Sequence, residues 1–526
     1  MHVTTTAADT GPLTVVDAVS SAGEVEPSLR GRALRASAWL LASKPLGMSI
    51  QLVRSLVLTR LLFPEAFGLM ALVGVVIQGL VMCSDVGIQP NIIQSRRGTD
   101  ATFLQTAWTL QILRGFILWS ICCVLAWPAA AFYDEPALLA LLPVAGLNVL
   151  INGFHSTAGA GHVRQMYWGR LTVLGLIGQL LTLIVMVLAA LWLRNVWALV
   201  IGGLTGSLIS VTNGFLFLPG VRHRLRWDIA AVRDVVAFGK WIFVSTLLLF
   251  FAMQMDKIVL GKLIPIEILG VYSIALVLAN LPRDLLQTIS SAVLFPAVSA
   301  KCRDRLRPAH KTVKEARNPL LQVGLLLCLG VAFFAPAFFR LYDPRYGAAA
   351  WMAQLLALSA WATVLNASTA SILLAFGDSK SLALGNLVNV IVTLAAALGG
   401  FRLCGLPGFI IGYAVGTLAG EVVQGIWVRK YGVRVLRMDG LNTVAGLVLF
   451  AAYLGITEAL DLLSLGSGVW AATATGLALY GGVLSVILPA LKRDLLPSIR
   501  LSNLRRLQRN DPKTSTPCPA APRSDI

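Results

Sequence analysis

Apolar blocks of about 20 residues, separated by short polar punctuation, run along almost the whole chain, and a block of that length crosses a bilayer as an α-helix. The pattern predicts fourteen such helices, near residues 36–59, 66–88, 103–127, 137–157, 171–193, 196–219, 237–261, 267–298, 319–340, 350–376, 381–400, 406–428, 441–461 and 468–490. The breaks fall on turn-forming residues: Phe63-Pro64-Glu65, Tyr133-Asp134-Glu135-Pro136, Leu341-Tyr342-Asp343-Pro344 and Gly377-Asp378-Ser379. The expected fold class is an all-α polytopic membrane protein of about 14 transmembrane helices.

Composition supports this. Of 526 residues, 57% are hydrophobic and 13% charged, about half the charge density of a soluble domain. Such a chain is neither an ordinary soluble enzyme nor disordered. The net charge of +18 would suggest nucleic acid in a soluble protein, but here it follows the positive-inside rule. With the N-terminus inside, cytoplasmic segments gather Arg30, Arg32, Arg35, Arg96, Arg97, Arg164, Arg170, Arg222 to Arg233, Lys301 to Arg317, Lys380, Arg429 to Arg437 and the tail. The opposite side holds only Arg60, Arg194, Lys262, Arg340, Arg345 and Arg402. Both termini are therefore expected in the cytoplasm, with the first span as its own insertion signal. The seven cysteines have no zinc-ligand spacing and read as small hydrophobes rather than a disulfide framework.

The organisation expected is a cytoplasmic tail (1–35), a first lobe of six spans (36–219), a basic linker (220–236) and a second lobe of six spans (237–428). Two additional spans (429–490) and a basic, Pro/Ser-rich cytoplasmic tail (491–526) follow. A shift of 202 residues lays Val57–Leu69 over Val259–Val271, with Val, Leu, Leu, Glu and Gly identical and Arg60 over Lys262. It also pairs Trp39 with Trp241. The two lobes should be related by a parallel repeat, with its axis along the membrane normal.

The chain has no P-loop motif, no metal-ligand cluster and no nucleophile triad, so covalent catalysis is not expected. Interest falls instead on charges inside spans, which are costly there and face a bundle interior. Ser37, Lys44 and Gln51 recur every seven residues as one polar stripe, with Arg54 on the same broad side. Arg114 lies one turn from Gln111, and Arg283 sits beside Asp284. Lys44, Arg54, Arg114 and Arg283 could line a cationic cavity for a phosphate-bearing substrate. Lys257, next to Asp256, could equally form a local pair. Asp85, Asp256 and Glu421 are candidate ion-coupling or counter-ion groups, for an H+ or Na+ gradient, with no cofactor expected. Polar stripes also run through Asn386, Asn389 and Thr393, and through Tyr413, Thr417, Glu421 and Gln424.

The stretch Val57–Leu69 resembles the end of the first span in Wzx-type polysaccharide flippases. Phe238-Gly239-Lys240-Trp241 through Met255-Asp256-Lys257 to Leu269-Gly270-Val271-Tyr272 resembles the start of their second half. These flippases belong to the multidrug/oligosaccharidyl-lipid/polysaccharide exporter superfamily. The resemblance implies two six-helix lobes around an alternating cavity in the bacterial cytoplasmic (inner) membrane. It implies transport, without enzymatic turnover, of an undecaprenyl-diphosphate-linked oligosaccharide repeat unit for exopolysaccharide or O-antigen-type biosynthesis. Basic side chains would then meet the diphosphate, polar stripes the sugar hydroxyls, and membrane lipids the flanks. Polysaccharide polymerase and export proteins are the implied neighbours, and nucleic acid is not a partner. A lipid II flippase and a cation-coupled multidrug antiporter of the same fold are the alternatives.

Overall fold

The computed structural model describes residues 29–84, 92, 100–159, 161, 168–217, 224–228, 246–247, 249–290, 309–462 and 469–499. Its elements are helices. In chain order they are α1 (Leu29–Leu61), α2 (Pro64–Cys83), α3 (Ala101–Tyr133), α4 (Leu138–Gly153), α5 (Trp168–Leu193) and α6 (Trp197–Leu216). Then come α7 (249–263), α8 (Ile266–Ala279), α9 (Leu281–Ile289), α10 (Ala309–Phe339), α11 (Ala349–Ala375), α12 (Ser379–Val428), α13 (Leu436–Leu462) and α14 (Val469–Ile499). Among the described residues, ten helical stretches are long and apolar enough to cross a membrane. The chain is thus a multi-pass membrane protein. That figure counts α12 once, joins α8 to α9, and omits α1, α7 and the shorter apolar α4.

α12 is two antiparallel arms. Cys404 and Gly405 leave helical geometry, Gly405 taking a φ of +63° that a side chain would disfavour. The arms then pack backbone to backbone: Gly408 against Gly400, Gly412 against Ala396, Gly416 against Thr393 and Gly420 against Asn389. Small residues every fourth position permit this approach. The two predicted spans are both there, joined by a tight break. The polar stripes on them bond to each other, as where the Gln424 amide donates to Asn386 Oδ1 (3.2 Å). Asn386 and Gln424 are thereby spent on packing, whereas Glu421 of the same stripe turns to α11.

Several boundaries differ from expectation: α1 begins at Leu29, inside the expected tail, α3 runs on to Tyr133, and the span expected at 267–298 is the two helices α8 and α9. α10 begins at Ala309, so Arg317 is not a loop charge but a residue of the helix, 3% exposed. Pro319 lies inside this helix, and an interior proline is tolerated in a membrane helix where neighbouring groups satisfy the freed backbone. α14 continues to Ile499, past the expected start of the tail. The expected linker lies mostly outside the described residues, as do Asp85, Trp241 and the basic stretch 291–308.

The repeat becomes visible as contact geometry. Gly68 on α2 lies against the Ile266 carbonyl, and Gly270 on α8 lies against the Pro64 carbonyl. Gly68 and Gly270 correspond under the 202-residue shift, as do Pro64 and Ile266. A reciprocal contact between equivalent residues is what a two-fold axis between the lobes produces. A shared core there draws Leu72, Leu138 and Leu141 from the first lobe and Leu260, Leu269 and Tyr346 from the second. α13 and α14 attach to α10: the Tyr453 ring stacks on Phe333 (4.8 Å), and Tyr480 meets Phe334 edge-on (5.6 Å).

Candidate functional site

α1 and α5 build the site in the first lobe, with α9 contributing from the second. Lys44, Gly47, Gln51 and Arg54 on α1 face Thr172, Gly175 and Gln179 on α5 across a cavity of about 400 Å³, with Asp284 of α9 at its edge. The seven-residue spacing of Lys44 and Gln51 predicted one stripe, and both residues do line one wall. Pro45, inside α1, removes a helical amide at this level. A second cavity of about 380 Å³ adjoins through Arg54, Gly175 and Gln179 and reaches His155, Ser210 and Asn213.

The predicted cations separate by what they touch. Arg54 is half-buried, lines both cavities, and has no hydrogen-bond or ion-pair partner among the described residues. Lys44 lines the first cavity, is exposed, and is likewise unpaired among them. Arg283 adjoins the cavity residue Asp284 in the chain and lies within electrostatic reach of Tyr413. Arg114 is different. Its guanidinium donates to the Val81 carbonyl (2.7 Å) and to Ser84 Oγ (3.0 and 3.1 Å), closing the last turn of α2, and it lines neither cavity.

The acidic candidates separate too. Asp256 on α7 is buried and accepts from the Tyr272 hydroxyl (2.9 Å), while Lys257 donates to Gln254 Oε1 (3.0 Å) instead of pairing with its neighbour. Glu421 is buried in the second lobe, far from Arg54 in sequence, and accepts from Thr369 Oγ1 (2.6 Å). Asp85 lies outside the described residues.

Sequence reasoning missed the cluster around Glu421. Arg317 of α10 donates to Asp439 Oδ1 on α13 (2.5 Å), to Ser368 (3.0 Å) and to Thr369 (3.0 Å) on α11. It also lies 3.6 Å from Glu421 Oε1. One signal was available: Val313, Arg317 and Leu321 share a helix face, and the two hydrophobic members are fully buried.

The end of the bundle opposite Lys44 is shut by bonds between lobes. Arg60, ending α1, donates to the Leu341 carbonyl (2.8 and 3.3 Å) beyond α10. Its repeat equivalent Lys262, ending α7, pairs with Asp134 (2.6 Å) beyond α3. The Tyr346 hydroxyl donates to the Leu62 carbonyl (3.0 Å). Burial, then the charges of Glu65, Glu267 and Asp134, push the Glu135 carboxyl up from its ordinary range. A raised carboxyl value means the closed end holds that proton more firmly than an open one, so closure strengthens as pH falls through the raised value. Glu135→Gln should therefore increase the closed fraction, by less than about tenfold for a half-exposed group. Cross-linking yield between cysteines placed at 63 and 345, whose native side chains meet at this end (4.4 Å), followed against pH, reads this effect. A wild-type yield that falls on acidification would contradict it.

The described residues thus form a two-lobed helical membrane bundle, bonded shut at one end and carrying cations toward the other that have no partner among those residues. Solved structures show the same fold. The lipid II flippase MurJ in an inward closed conformation aligns with a TM-score of 0.64 at 12% identity, over 87% of this chain and 99% of that one. An inward-facing multidrug resistance MATE family transporter of the MOP superfamily aligns at 0.58 and 13%, over 75% and 97%. The model of the polysaccharide biosynthesis protein family matches residues 57–338, and the chain belongs to that family. It is similar to the succinoglycan biosynthesis transport protein ExoT of Rhizobium meliloti (strain 1021), 22% identical over 61% of this chain and 65% of that protein. It is also similar to the teichuronic acid biosynthesis protein TuaB of Bacillus subtilis (strain 168), 23% identical over 56% and 61%. The lipopolysaccharide biosynthesis protein WzxC of Escherichia coli (strain K12) matches at 23% over 53% and 56%. The chain spans under two thirds of the length of these three relatives.

Proposed function

We propose that this protein flips an undecaprenyl-diphosphate-linked oligosaccharide repeat unit across the bacterial cytoplasmic membrane by alternating access, for exopolysaccharide or O-antigen-type biosynthesis. The observation that carries the reading is Arg54, a half-buried guanidinium with no partner among the described residues, shared by two adjoining cavities. An unpaired cation inside a bundle is costly, and an anionic ligand offsets that cost. Lys44 adds a second charge at the cavity wall, and Arg283 stands near its edge. Family membership and the polysaccharide relatives favour a lipid-linked saccharide over a drug cation, which a cationic cavity would repel.

The barrier to unassisted flipping is the passage of a charged, hydroxylated head group through hydrocarbon. A cavity holding polar and basic side chains lowers it, and no covalent step is needed. In this reading the chain crosses fourteen times, with each arm of α12 as one crossing, and both termini are cytoplasmic. The Lys44 end is then the cytoplasmic mouth, and the Arg60–Lys262 end is the outer face, closed in the state described. Polymerase and export proteins are the expected neighbours.

Loss of one charge-assisted contact is worth about 1.5–3 kcal/mol, so Arg54→Ala should weaken binding of undecaprenyl diphosphate by roughly 10–100-fold. Arg114→Ala should lower thermal stability while leaving the affinity of the folded fraction unchanged. Ligand-dependent shifts in the unfolding temperature of the purified protein measure both. Equal losses of affinity in the two variants would remove the argument for Arg54.

A further inference from the structure

The cluster at the meeting of α10, α11, α12 and α13 has more negative than positive charge. One guanidinium, Arg317, faces two carboxylates, Glu421 and Asp439, and these side chains are nearly inaccessible to solvent at 3%, 2% and 4% exposure. One oxygen of each carboxylate is engaged: Glu421 Oε1 by Thr369 (2.6 Å), and Asp439 Oδ1 by Arg317 (2.5 Å). The other oxygen of each, Glu421 Oε2 and Asp439 Oδ2, is buried without a hydrogen-bond partner. Arg317 brings the two carboxylates together, its guanidinium lying 2.5 Å from Asp439 Oδ1 and 3.6 Å from Glu421 Oε1. Two orphaned acceptors on carboxylates that share one cation are costly, because each has lost water without gaining a donor.

We propose that Glu421 and Asp439 are a proton-binding dyad, holding one proton between them under the constraint of Arg317. A proton from water forms an O–H bond with one orphaned oxygen, and the other orphaned oxygen accepts that hydrogen. No other bond is made or broken. This single addition pairs both orphans and brings the cluster to charge balance. Release reverses it, leaving a buried excess negative charge that favours any movement admitting water.

Among the described residues, no other charged group shares the site. α11 offers only the hydroxyls of Ser368 and Thr369, and the first arm of α12 offers Asn386, through Gln424. Lys314 and Glu315 on α10, and Arg434 and Arg437 around the start of α13, are exposed. A metal cation is disfavoured because the guanidinium stands 2.5 Å from one carboxylate and 3.6 Å from the other. The dyad joins the two C-terminal helices to the second lobe, since Asp439 is on α13 and its partners are on α10 and α12. A proton there reports and biases how those helices sit. That link to transport rests on the flipping reading above, whereas the proton site itself does not.

The test has two arms on the full-length protein in nanodiscs and liposomes. The first is an infrared pH titration of the protonated-carboxyl stretch. Wild type should show a band near neutral pH that disappears on alkaline titration, is insensitive to Na+, and is absent from both Glu421→Gln and Asp439→Asn. Each amide mimics the protonated dyad, so at least one variant should keep its unfolding temperature, and either suffices. A band that persists in the folded variant, no titrating band in wild type, or a band displaced by Na+ at fixed pH would overturn the proposal.

The second arm imposes a pH gradient while a fluorescent polyprenyl-diphosphate sugar is followed across the bilayer. One linked proton gives up to about a tenfold change in rate per pH unit. Wild type should respond to the gradient, and the variants should flip the lipid without responding. An unresponsive wild type that still flips would overturn the link to transport. A titrating dyad in a protein that flips nothing would leave the proton site standing and remove the flipping reading instead.

Discussion

Valine at Gly68 or at Gly270 is expected to abolish transport while the protein remains folded in the membrane. At each position an added Cβ would meet a backbone carbonyl, that of Ile266 or of Pro64, and a backbone atom cannot swing aside as a side-chain tip can. Relief requires α2 and α8 to separate, which also pulls apart the bonds of Arg60 and Lys262 at the same end. Overpacking costs about 1–3 kcal/mol. Here the cost falls only on the state in which the lobes meet, so each valine should shift the closed fraction down by roughly 10–100-fold. Because the two contacts are symmetry-equivalent, the two variants should behave alike. Spin-label distances between positions 132 and 263, exposed neighbours of the Asp134–Lys262 pair, should lengthen in both. A Gly68→Val protein that kept the wild-type distance and flipping rate would show that this contact does not close the bundle.

Removing Arg317 should have the largest effect on stability. Arg317→Ala leaves Glu421 and Asp439 buried near each other with no cation, and breaking a buried ion pair from one side typically costs about 3–5 kcal/mol. Lysine is not an adequate replacement. The arginine reaches Ser368, Asp439 and Thr369 with three different nitrogens, and an ammonium on a flexible stem cannot cover that fan. Arg317→Lys should therefore be intermediate. Adding Glu421→Gln and Asp439→Asn to Arg317→Ala should recover much of the loss, since no charge is then left uncompensated. Unfolding temperatures of detergent-purified variants decide this. An Arg317→Ala protein as stable as wild type would mean the cluster contributes nothing to the fold.

The first of these effects could be approached from sequence, whereas the second offered only the helix face shared by Val313, Arg317 and Leu321. The 202-residue shift brought Gly68 over Gly270 and Arg60 over Lys262, and internal symmetry is a local property of a string. That the equivalent residues touch each other needs the axis, which only the packed lobes reveal. The stripe of Lys44, Gln51 and Arg54 was legible because helical periodicity is short-range, and one helix wall settles which residues share a cavity. Arg114 shows the limit of that argument. Its position inside a span marked it as interior, but whether it meets a ligand or the end of α2 depended on Ser84, 30 residues away.

Arg317 was hidden by its surroundings. It follows a run of genuinely basic positions and precedes a proline, so charge statistics assigned it to a loop. Its partners, Glu421 and Asp439, come from two other helices, and no spacing rule links residues so far apart. The Asn386, Thr393 and Gln424 stripes failed for the opposite reason. Periodicity correctly placed them on faces, but the glycines of α12 bring those faces against each other rather than toward a cavity.

The most direct test is transbilayer movement in proteoliposomes. A fluorescent polyprenyl-diphosphate sugar, an impermeant quencher and the purified protein are sufficient. The cationic-cavity reading predicts protein-dependent movement that falls at least about tenfold in Arg54→Ala, the loss of one charge-assisted contact, and persists in correctly folded Arg114→Ala. No protein-dependent movement, or movement unaffected by the loss of Arg54, would contradict it.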